Sequence, residues 1–537
     1  MAGLATTFGS GAMTNSIEEI SGSEVIFLIG SNTTEAHPQV ARRIIKAVDN
    51  GATLIVADPR NTVISNFAEV HLKHRPGTDI PLLNAMMMII LEEGLIDDAF
   101  IEMRTENFEA LRNVLFEQDF DGLVDITGIE PELIKRAARL YASAQKAAIC
   151  YCLGITQHVC GTANVESIAN LAMLTGHVEQ DYTGVNPLRG QNNVQGACDM
   201  GALPGVFPGY QSVADKSIRK KFSRAWKTDL PEEPGLTVMD MTHQGVANNI
   251  KAMFIMGENP ALSDPDCSAV ITNLKQMDFL AVSDIFLTET AELADVVFPA
   301  ASFAEKSGTV TNSERRVQLM RQAIDPLGEC RSDSEIIMAI SNSMGYPMDY
   351  QDSAEIMEEI ALLTPIYGGI YHDRLETTWG LQWPCYDRNH PGTQYLHKYS
   401  FARGRGRFVP ATHQAPKEQP NDEFPFVLVT GRTYHHYHTG GMTRTSEILL
   451  REEREAFLEI NPNDIKELNI RDGQMVKLRS RRGEITIQAK ATNRVPKGVV
   501  YTGFHFPESP INRLTNPARD PVAKCPEYKV CAVSIEP

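Results

Sequence analysis

The residues best suited to bind a ligand lie together in one glycine-rich stretch, residues 184–201. It contains one arginine, two glutamines and three asparagines, with glycines at positions 184, 190, 196 and 201. Such amides donate and accept hydrogen bonds at once, which suits a pterin or a guanine, and glycines let backbone N–H groups approach closely. Arg189 is the only full positive charge here and could hold a small carboxylate through two parallel hydrogen bonds. Without helical or strand periodicity, the stretch is predicted to be a loop; a surface connection rich in turn residues is the alternative.

A strand–helix–strand unit near the start of the chain could present loops of this kind. An apolar run at 23–30 ends in Gly30, Pro38 opens an amphipathic helix, and a second apolar run at 52–57 leads to Asp58. Continuous apolar runs are typical of parallel strands buried on both faces, and ligands bind such sheets at the carboxyl ends of the strands. The Gly30 loop lacks the G-x-G-x-x-G dinucleotide fingerprint. Asp58 is placed to accept from a ribose or guanine, with a helix-cap or turn aspartate as the alternative.

A similar unit recurs later in the chain. The apolar run at 251–256 ends in Gly257, and the run at 279–286 contains Asp284. The glycine-to-aspartate spacing is 28 residues from 30 to 58 and 27 residues from 257 to 284. Two related α/β units imply two related halves of a ligand, and one sheet that continues past both segments is the alternative.

Periodicity and turn residues predict the remaining elements. Helices are expected at 131–144 and 164–175, a buried helix at 82–91, and a strand at 147–153. Residues 344–411 look irregular, and 403–407 and 416–422 look like linkers. From Phe424 onward the pattern is mostly β, with a capped helix starting at Asn461 and strands predicted at 426–430, 475–480, 484–491 and 498–503.

Composition narrows the classes of function. A chain of 537 residues with net charge −18 should form two to four domains, and its charge argues against nucleic acid as a partner. No apolar run reaches the ~18 residues that span a bilayer. The nine cysteines are scattered without a CxxC pair. This favours buried free thiols in a reducing compartment over an iron–sulfur or zinc site.

Basic groups and imidazoles could recognise anions. The segment 431–444 holds histidines at 435, 436 and 438, whose spacing is poor for a metal site and suits phosphate or pterin recognition better. Two repeated pockets fit a large, doubled, anionic cofactor better than a single NAD. The candidates to neutralise diphosphates, with solvated surface charges as the alternative, are Lys73, Arg75, Arg315, Arg316, Arg432 and Arg444.

Residues 185–201 and 438–444 resemble the molybdopterin oxidoreductases, in particular the catalytic subunit of formate dehydrogenase. The similarity extends over essentially the whole chain. It implies an α/β fold with two related αβα sandwich domains and a C-terminal six-stranded β-barrel. The implied domains are residues 1–191, an incomplete second αβα domain at 192–418, and the molybdopterin dinucleotide-binding barrel at 419–537.

The resemblance also assigns roles to individual residues. Arg189 would face the substrate carboxylate, with Gln191 as a second catalytic residue, and no metal ligand is assigned within the chain. The residues implied to bind the cofactor are Gly30, Asn32, His37, Asp58, Arg60, Gln157, Asn192, Asn193, Gln195, Gly196, Met200, Gly257, Asn259, Asp284, Thr288, Arg432, His438, Thr439, Arg444, Asn512 and Lys529.

The activity that the resemblance implies is the reversible oxidation of formate to carbon dioxide. The centre would be molybdenum or tungsten held by two molybdopterin guanine dinucleotides. Electrons would leave through an iron–sulfur cluster to an iron–sulfur or flavin partner subunit in the cytoplasm. Neither nucleic acid as a partner nor a transmembrane segment is expected.

One departure from the family pattern is large. Family members carry an N-terminal iron–sulfur domain and a metal-ligating cysteine or selenocysteine followed by histidine, and this sequence contains neither. We expect the reading frame to continue upstream through a UGA selenocysteine codon, with Met1 assigned at a GUG codon, and this chain alone to be inactive. The alternatives are another enzyme of the superfamily such as nitrate reductase, and a non-catalytic cofactor-binding or assembly subunit. Because the G-x-G-x-x-G fingerprint is missing, a plain NAD-dependent dehydrogenase is the least supported hypothesis.

Overall fold

The computed structural model describes residues 1–247 and 249–537. The chain forms two compact units, Met1–Leu188 with Tyr395–Pro537, and Arg189–Gln394. The predicted domain boundaries at 191 and 418 stay a prediction. Within the described ranges, no helix combines the length and the apolar character that a membrane crossing requires.

A five-stranded parallel sheet forms one core of the first unit. Its strands lie in the order Val70–Leu72, Thr53–Ala57, Val25–Ile29, Ala147–Tyr151 and Gly184–Pro187. Phe27 packs into a buried cluster that includes the Asp79–Glu92 helix, whereas Ile26 and Leu28 pack into a second cluster that includes the Pro38–Asp49 helix. Successive side chains of a strand point to opposite faces, so both faces of this sheet are covered. The predicted αβα layers are confirmed.

Several helix boundaries in the first unit follow local signals. Pro38 stands at the first position of its helix, and Gly51 follows the helix with a positive φ. The methionine-rich run at 82–91 lies in a helix that is buried along almost its whole length, as predicted. The helices of this unit are Ala2–Phe8, Thr33–Ala36, Pro38–Asp49, Asp79–Glu92, Asp98–Arg104, Phe108–Phe116, Phe120–Thr127, Pro131–Ser143, Leu153–Thr156, Gly161–Leu174, Glu447–Glu452 and Pro462–Glu467.

The second core of the first unit is a closed six-stranded barrel, as expected. Within it, Val476 and Leu478 alternate with exposed residues and pack against Ile485 and Ile487. The Asn461 side chain caps the following helix by accepting from the Asn463 amide at 3.0 Å. Around the barrel the strands run Phe426–Gly431, Val499–Gly503, Phe457–Ile460, Gly483–Ala491, Met475–Ser480 and Cys531–Glu536, which closes on the first.

The second unit repeats the glycine turn of the first. Its parallel strands lie in the order Val296–Pro299, Phe279–Asp284 and Ala252–Met256. Gly257 follows its strand with φ +62°, and its amide donates to the Ser283 carbonyl at 2.8 Å. In the first unit, Gly30 has φ +58° and donates to the Ala57 carbonyl at 3.0 Å. The acceptors Ala57 and Ser283 immediately precede Asp58 and Asp284. The similar glycine-to-aspartate spacing therefore reflects the same backbone hydrogen bond in both repeats.

Two further predictions are wrong in part. The stretch 184–201 is not wholly a loop, because residues 184–187 pair with a neighbouring strand in the first unit and Val194–Asp199 is helical. Residues 344–411 are not irregular throughout, since Asp352 caps the helix Ser353–Leu363. The other elements of this unit are the helices Lys216–Trp226, Val238–Gln244, Pro260–Ser263, Cys267–Lys275, Asp333–Ser343 and His372–Thr377, and the strands Val206–Phe207, Gln211–Ser212, Gly308–Thr311, Arg316–Met320 and Leu381–Gln382.

The two predicted linkers are wrong, because both segments are bonded to the first unit. Gly406–Arg407 pairs with Thr105–Glu106, and Arg405 donates to the Thr105 carbonyl at 3.0 Å. In the other segment, the Glu418 carboxylate accepts from Arg482 at 2.5 and 3.0 Å. In this protein, runs of arginine, glycine and proline therefore indicate irregular backbone, but they do not indicate a linker.

The two repeated glycines differ in their surroundings, which gives a matched prediction. A Cβ on Gly30 would lie 2.8 Å from the Gly154 carbonyl carbon and from the Ile155 nitrogen, whereas a Cβ on Gly257 would meet nothing within 4 Å. Both positions have a left-handed backbone, which costs a non-glycine residue roughly 1–2 kcal/mol. We expect Gly257→Ala to lower stability by about that amount and Gly30→Ala by clearly more, as measured by denaturant unfolding. Equal losses would contradict the close backbone contact at Gly30.

Candidate functional site

The Gly30 loop of the first unit contains buried polar atoms with no partner. The Gly154 amide donates to the Gly30 carbonyl at 3.0 Å, so two strand-end loops touch through their backbones. Among the described residues, four buried side-chain atoms of this segment have no hydrogen-bond partner, namely Ser31 Oγ, Asn32 Nδ2, Thr33 Oγ1 and His37 Nδ1. A buried polar group without a partner costs about 1–3 kcal/mol. Four of them in seven residues point to a polar ligand that satisfies them.

Positive charge lies next to this loop. Burial lowers the pKa of Lys529 to about 8, and its electrostatic neighbours are Cys152, Arg432, Asp58 and Arg60. Lys529 Nζ donates to the Thr430 carbonyl at 2.5 Å, and its amide donates to the Gln157 carbonyl at 3.4 Å. Lys529, Arg432 and Gln157, which the family resemblance assigned to the cofactor, are thus brought together around the carboxyl ends of the first sheet.

Asp58 and Arg60 follow the same strand end but have different surroundings. The Asp58 carboxylate accepts from the Arg60 amide at 2.9 Å, and burial raises the pKa of Asp58. The Arg60 guanidinium lies 3.2 Å over the Tyr501 ring and donates to Glu459 at 2.7 Å. Its charge is therefore neutralised within the protein, and a cofactor contact by Arg60 stays a prediction.

The histidine segment is folded on itself. The His436 ring contacts Thr443 Oγ1 at 3.1 Å and the Glu453 carbonyl at 2.7 Å. Burial, together with Arg432, lowers the pKa of His438 to about 4, so its imidazole is neutral at pH 7. In the part of the chain that the structure describes, no group of three or more His, Cys, Asp or Glu side chains is arranged to hold a metal ion.

Three other residues of the first unit were predicted to bind the cofactor, and the structure shows only their contacts within the protein. Thr439 is buried, Arg444 pairs with Glu508, and Asn512 Oδ1 accepts from Thr515 Oγ1 at 3.2 Å. Their cofactor contacts stay predictions.

Arg189, in the second unit, is fixed through its Nε and its backbone amide. Its Nε donates to Gln195 Oε1 at 2.8 Å, and its backbone amide donates to Ser313 Oγ at 3.1 Å. Its Nη2 is buried and has no hydrogen-bond partner among the described residues. The guanidinium also lies near Cys198, where it lowers the thiol's pKa against the larger, raising effect of burial. The arrangement leaves one edge of a fixed guanidinium for an acidic ligand.

Behind Gln195 lies a network that sequence reasoning missed. Gln195 Nε2 donates to Asp199 Oδ1 at 2.7 Å, and the Tyr210 hydroxyl donates to the same oxygen at 2.6 Å. The Tyr367 hydroxyl and the Trp383 indole donate to Asp199 Oδ2 at 2.6 and 2.7 Å. Nothing local in the sequence could have revealed this network, because its partners lie up to 184 positions from Asp199.

The described residues that follow Arg189 in the sequence show no comparable group directed to a ligand. Gln191, Gly196 and Met200 lie close along the chain to the Arg189 network; Gln191 and Met200 are half-buried, whereas Asn192 is exposed. Asn193 Oδ1 accepts from the Thr311 amide at 2.9 Å, and a Cβ on Gly196 would lie 2.0 Å from that same oxygen. Asn193 is thereby used to fix the backbone, and its contact with a cofactor stays a prediction.

The strand ends of the second sheet are largely bonded within the protein. Asn259 Oδ1 accepts from the Thr290 amide at 3.1 Å and from its hydroxyl at 2.8 Å. Asp284 accepts from the Ile285 amide at 2.7 Å, and burial raises its pKa despite that bond and one from Thr288. Gly257, with open space around it, is the member of this set that leaves room for a ligand.

Four of the six basic residues proposed to neutralise diphosphates are occupied elsewhere. Arg315 is fully buried and donates to the Thr393 and Gln394 carbonyls at 3.0 Å, and to the Trp383 carbonyl. Arg75 donates to the Asp125 carbonyl at 2.7 Å. Arg316 and Arg444 pair with Glu314 and Glu508. For Arg315 the prediction is wrong, because it is fully buried and backbone carbonyls take its guanidinium group. For Arg75, Arg316 and Arg444 it stays a prediction.

Cys152 is a second feature that the sequence did not single out. Its Sγ lies 3.9 Å from His37 Nε2. Burial alone would raise the pKa of this thiol, but His37 and Arg432 lower it to about 7. The thiolate therefore adds stability above the ordinary pKa of 9.0, and this contribution is lost as pH falls through about 7.

This pKa gives a direct titration test. We expect the ultraviolet absorbance difference between the wild-type chain and Cys152→Ser to show a thiolate forming near pH 7. In His37→Ala the midpoint should move upward, because a neighbour that favours the thiolate is removed. Cys150, whose pKa burial raises to about 12, is the internal control, and Cys150→Ser should leave the midpoint unchanged. An unshifted midpoint in His37→Ala would contradict the His37–Cys152 interaction.

Comparison with known proteins places this geometry in a family. Residues 3–343 match the molybdopterin oxidoreductase family, and residues 426–532 match the molybdopterin dinucleotide binding domain. The chain is 51% identical to the F420-dependent formate dehydrogenase subunit alpha of Methanocaldococcus jannaschii, covering 99% of this chain and 79% of that protein. It is 39% identical to formate dehydrogenase H of Escherichia coli, covering 100% and 76%. It is 35% identical to the assimilatory nitrate reductase catalytic subunit of Bacillus subtilis, covering 99% and 77%.

The fold agrees with that assignment. Acetylene hydratase from Pelobacter acetylenicus superposes with a TM-score of 0.79 at 17% identity, over all of this chain and 80% of that one. The unpartnered polar atoms of the Gly30 loop and the cations beside it also fit a polar, anionic pterin nucleotide. The chain belongs to the molybdopterin oxidoreductase family.

Proposed function

We propose that this chain is the catalytic-subunit part of a formate dehydrogenase that interconverts formate and carbon dioxide. The observation that carries the proposal is Arg189, whose Nε is fixed by Gln195 while its buried Nη2 has no partner among the described residues. A planar guanidinium fixed in this way binds a small carboxylate in one orientation. The identity of 51% to a formate dehydrogenase alpha subunit supports the same substrate.

The reaction defines what the residues must do. Oxidation of formate breaks its C–H bond and releases carbon dioxide, one proton and two electrons. When bound, the molybdenum or tungsten centre supplies the two-electron acceptor. Arg189 would fix both formate oxygens, so that the C–H bond has a single direction, and Gln191 lies two residues away to add a contact. Fixing a reactant in this way is a large part of catalysis.

The cofactor would be held by the residues that the family motif assigns. In the first unit these are the Gly30 loop with Asn32 and His37, and Lys529, Arg432 and Gln157 around it. In the second unit they are Gly257, Asp284 and Thr288 with the 192–200 segment. The proposal also includes a metal that is either molybdenum or tungsten, an iron–sulfur cluster that takes up the electrons, and a partner subunit that carries an iron–sulfur cluster or a flavin. A cytoplasmic location is supported by the nine free cysteines, which suit a reducing compartment.

A substrate comparison on the cofactor-loaded protein tests the proposal. The full-length protein is purified anaerobically from its host, its metal and pterin content are measured, and formate-dependent reduction of a viologen dye is compared with nitrate-dependent oxidation of the reduced dye. We expect formate turnover and no nitrate turnover. Nitrate turnover alone would establish the nitrate reductase alternative. A loaded, full-length protein that turns over neither would establish a cofactor-binding subunit without catalysis.

A further inference from the structure

The carboxylate of Asp199 lies at the centre of the side chains behind Arg189. It is fully buried and receives four hydrogen bonds between 2.6 and 2.7 Å, from Gln195, Tyr210, Tyr367 and Trp383. An ionised carboxylate only accepts hydrogen bonds and offers about four lone-pair sites. The four donors therefore use the whole capacity of an ionised Asp199.

When it is ionised, Asp199 only accepts hydrogen bonds, and this determines which way the Gln195 amide points. Because Asp199 takes the Nε2 end of that amide, the Oε1 end is left for Arg189 Nε, which it contacts at 2.8 Å. A glutamine turned the other way would place two donors, its own amide nitrogen and the arginine Nε, against each other. The Asp199 carboxylate thus fixes the Gln195 amide, and the Gln195 amide in turn fixes the orientation of the Arg189 guanidinium.

The partners of Asp199 are themselves fixed. Arg315 donates to the Trp383 carbonyl, and the Trp383 amide donates to the Arg315 carbonyl at 3.1 Å. The Tyr367 hydroxyl also shares a hydrogen bond with Thr311 Oγ1 at 3.1 Å. The whole set lies within the second unit, and it gives Asp199 a single position.

We propose that Asp199 is a positioning residue for substrate binding: by fixing the Gln195 amide it holds the Arg189 guanidinium with Nη2 directed to the carboxylate of formate. This inference rests on the proposed function. Asp199 itself does not touch the substrate. Its loss should act through the order of Arg189, and so through formate affinity first.

The test compares isosteric variants of the loaded protein. Asp199→Asn can donate as well as accept, so position 199 no longer opposes the reversed orientation of Gln195. We expect it to weaken formate binding by roughly tenfold to a hundredfold, the size expected when a charge-assisted hydrogen bond is misaligned. Binding is measured without an electron acceptor from the relaxation of [13C]formate, and steady-state kinetics should show a raised KM with a smaller change in kcat.

A matched buried aspartate controls for loss of stability. Asp264 in the same unit is also buried and accepts from Thr242 at 2.8 Å and from Ser263 at 3.1 Å. We expect Asp264→Asn to lower the melting temperature and leave formate affinity unchanged. If Asp199→Asn does not fold, Gln195→Met removes the same link and should give the same loss of affinity.

The possible outcomes separate this inference from the proposed function. Wild-type affinity in Asp199→Asn, or in Gln195→Met where that variant is used, overturns the positioning role, provided that Arg189→Ala has lost binding. A wild-type protein that binds no formate, with Arg189→Ala indistinguishable from it, refutes the proposed function and the positioning role with it. Loss of affinity in Asp199→Asn with Asp264→Asn unchanged supports the inference.

Discussion

Replacing Arg189 by alanine will lower kcat/KM for formate by about a hundredfold or more in the loaded, full-length enzyme. The guanidinium is held at Nε by Gln195, and its buried Nη2 has no partner among the described residues. Each hydrogen bond from a charged group contributes roughly 1.5–3 kcal/mol, so losing a two-bond contact exceeds the 1.4 kcal/mol of a tenfold change. Misplacement of the C–H bond adds to that loss. Steady-state kinetics with a viologen acceptor measures the effect.

Two controls make the result specific. Arg189→Lys keeps the charge and removes the planar fork, so we expect it to recover only part of the lost efficiency. Arg388 lies in the same unit and pairs with Asp373 at 2.8 Å. Arg388→Ala should leave kcat/KM for formate within a few-fold of the wild-type value. An Arg189→Ala enzyme that keeps normal formate turnover would refute the substrate contact.

The repeated glycine turns could be predicted from the sequence because their causes are local. An apolar strand ending in Gly30 or Gly257 reverses through a positive φ, and only glycine adopts this readily. The following aspartate falls at a similar distance, because each repeat places a four-residue helix, a longer helix and a strand in the same order after the glycine. Short-range features of this kind are visible along a single chain.

The helix Val194–Asp199 could not be predicted in the same way. Its residues show no helical periodicity, and the surrounding contacts decide its structure, such as the bond from the Thr311 amide to Asn193. The side chains behind Arg189 escaped prediction for the same reason, since Trp383 and Tyr367 reach Asp199 from distant parts of the chain. Tertiary contacts override local preference at such places.

Charge alone was also a poor guide to anion sites. Arg315 looked like a cation for a diphosphate, yet backbone carbonyls surround it and it fixes Trp383. Lys529 came from the family resemblance, and the structure places it near Cys152 and Asp58, with a pKa lowered by burial. Whether an arginine or lysine serves a ligand depends on how many internal acceptors it meets, and the sequence does not give that number.

Replacing Glu459 by methionine will destabilise the first unit by about 3–5 kcal/mol, because it leaves the Arg60 guanidinium buried without its carboxylate. Arg60 is 5% exposed and Glu459 is 0% exposed, and they meet at 2.7 Å although 399 positions separate them in the sequence. Arg494 also contacts Glu459, at 3.1 Å, but it is half-buried and has Glu35 as a second partner at 2.5 Å. Arg60 therefore bears most of the loss. Denaturant unfolding followed by tyrosine fluorescence near Tyr501 measures it.

The double variant Glu459→Met with Arg60→Met separates a lost charge partner from lost packing. Methionine approximates the length of both side chains, and removing both charges together avoids an uncompensated buried ion, so we expect most of the stability to return. Arg494→Met, which removes a more exposed partner, should cost roughly 1 kcal/mol or less. A double variant as unstable as Glu459→Met alone would show that the 3.2 Å stacking of Arg60 on Tyr501, and not the ion pair, connects the sheet to the barrel within this unit. If stability returns in the double variant, the ion pair of Arg60 and Glu459 is needed because each buried charge requires the other to neutralise it.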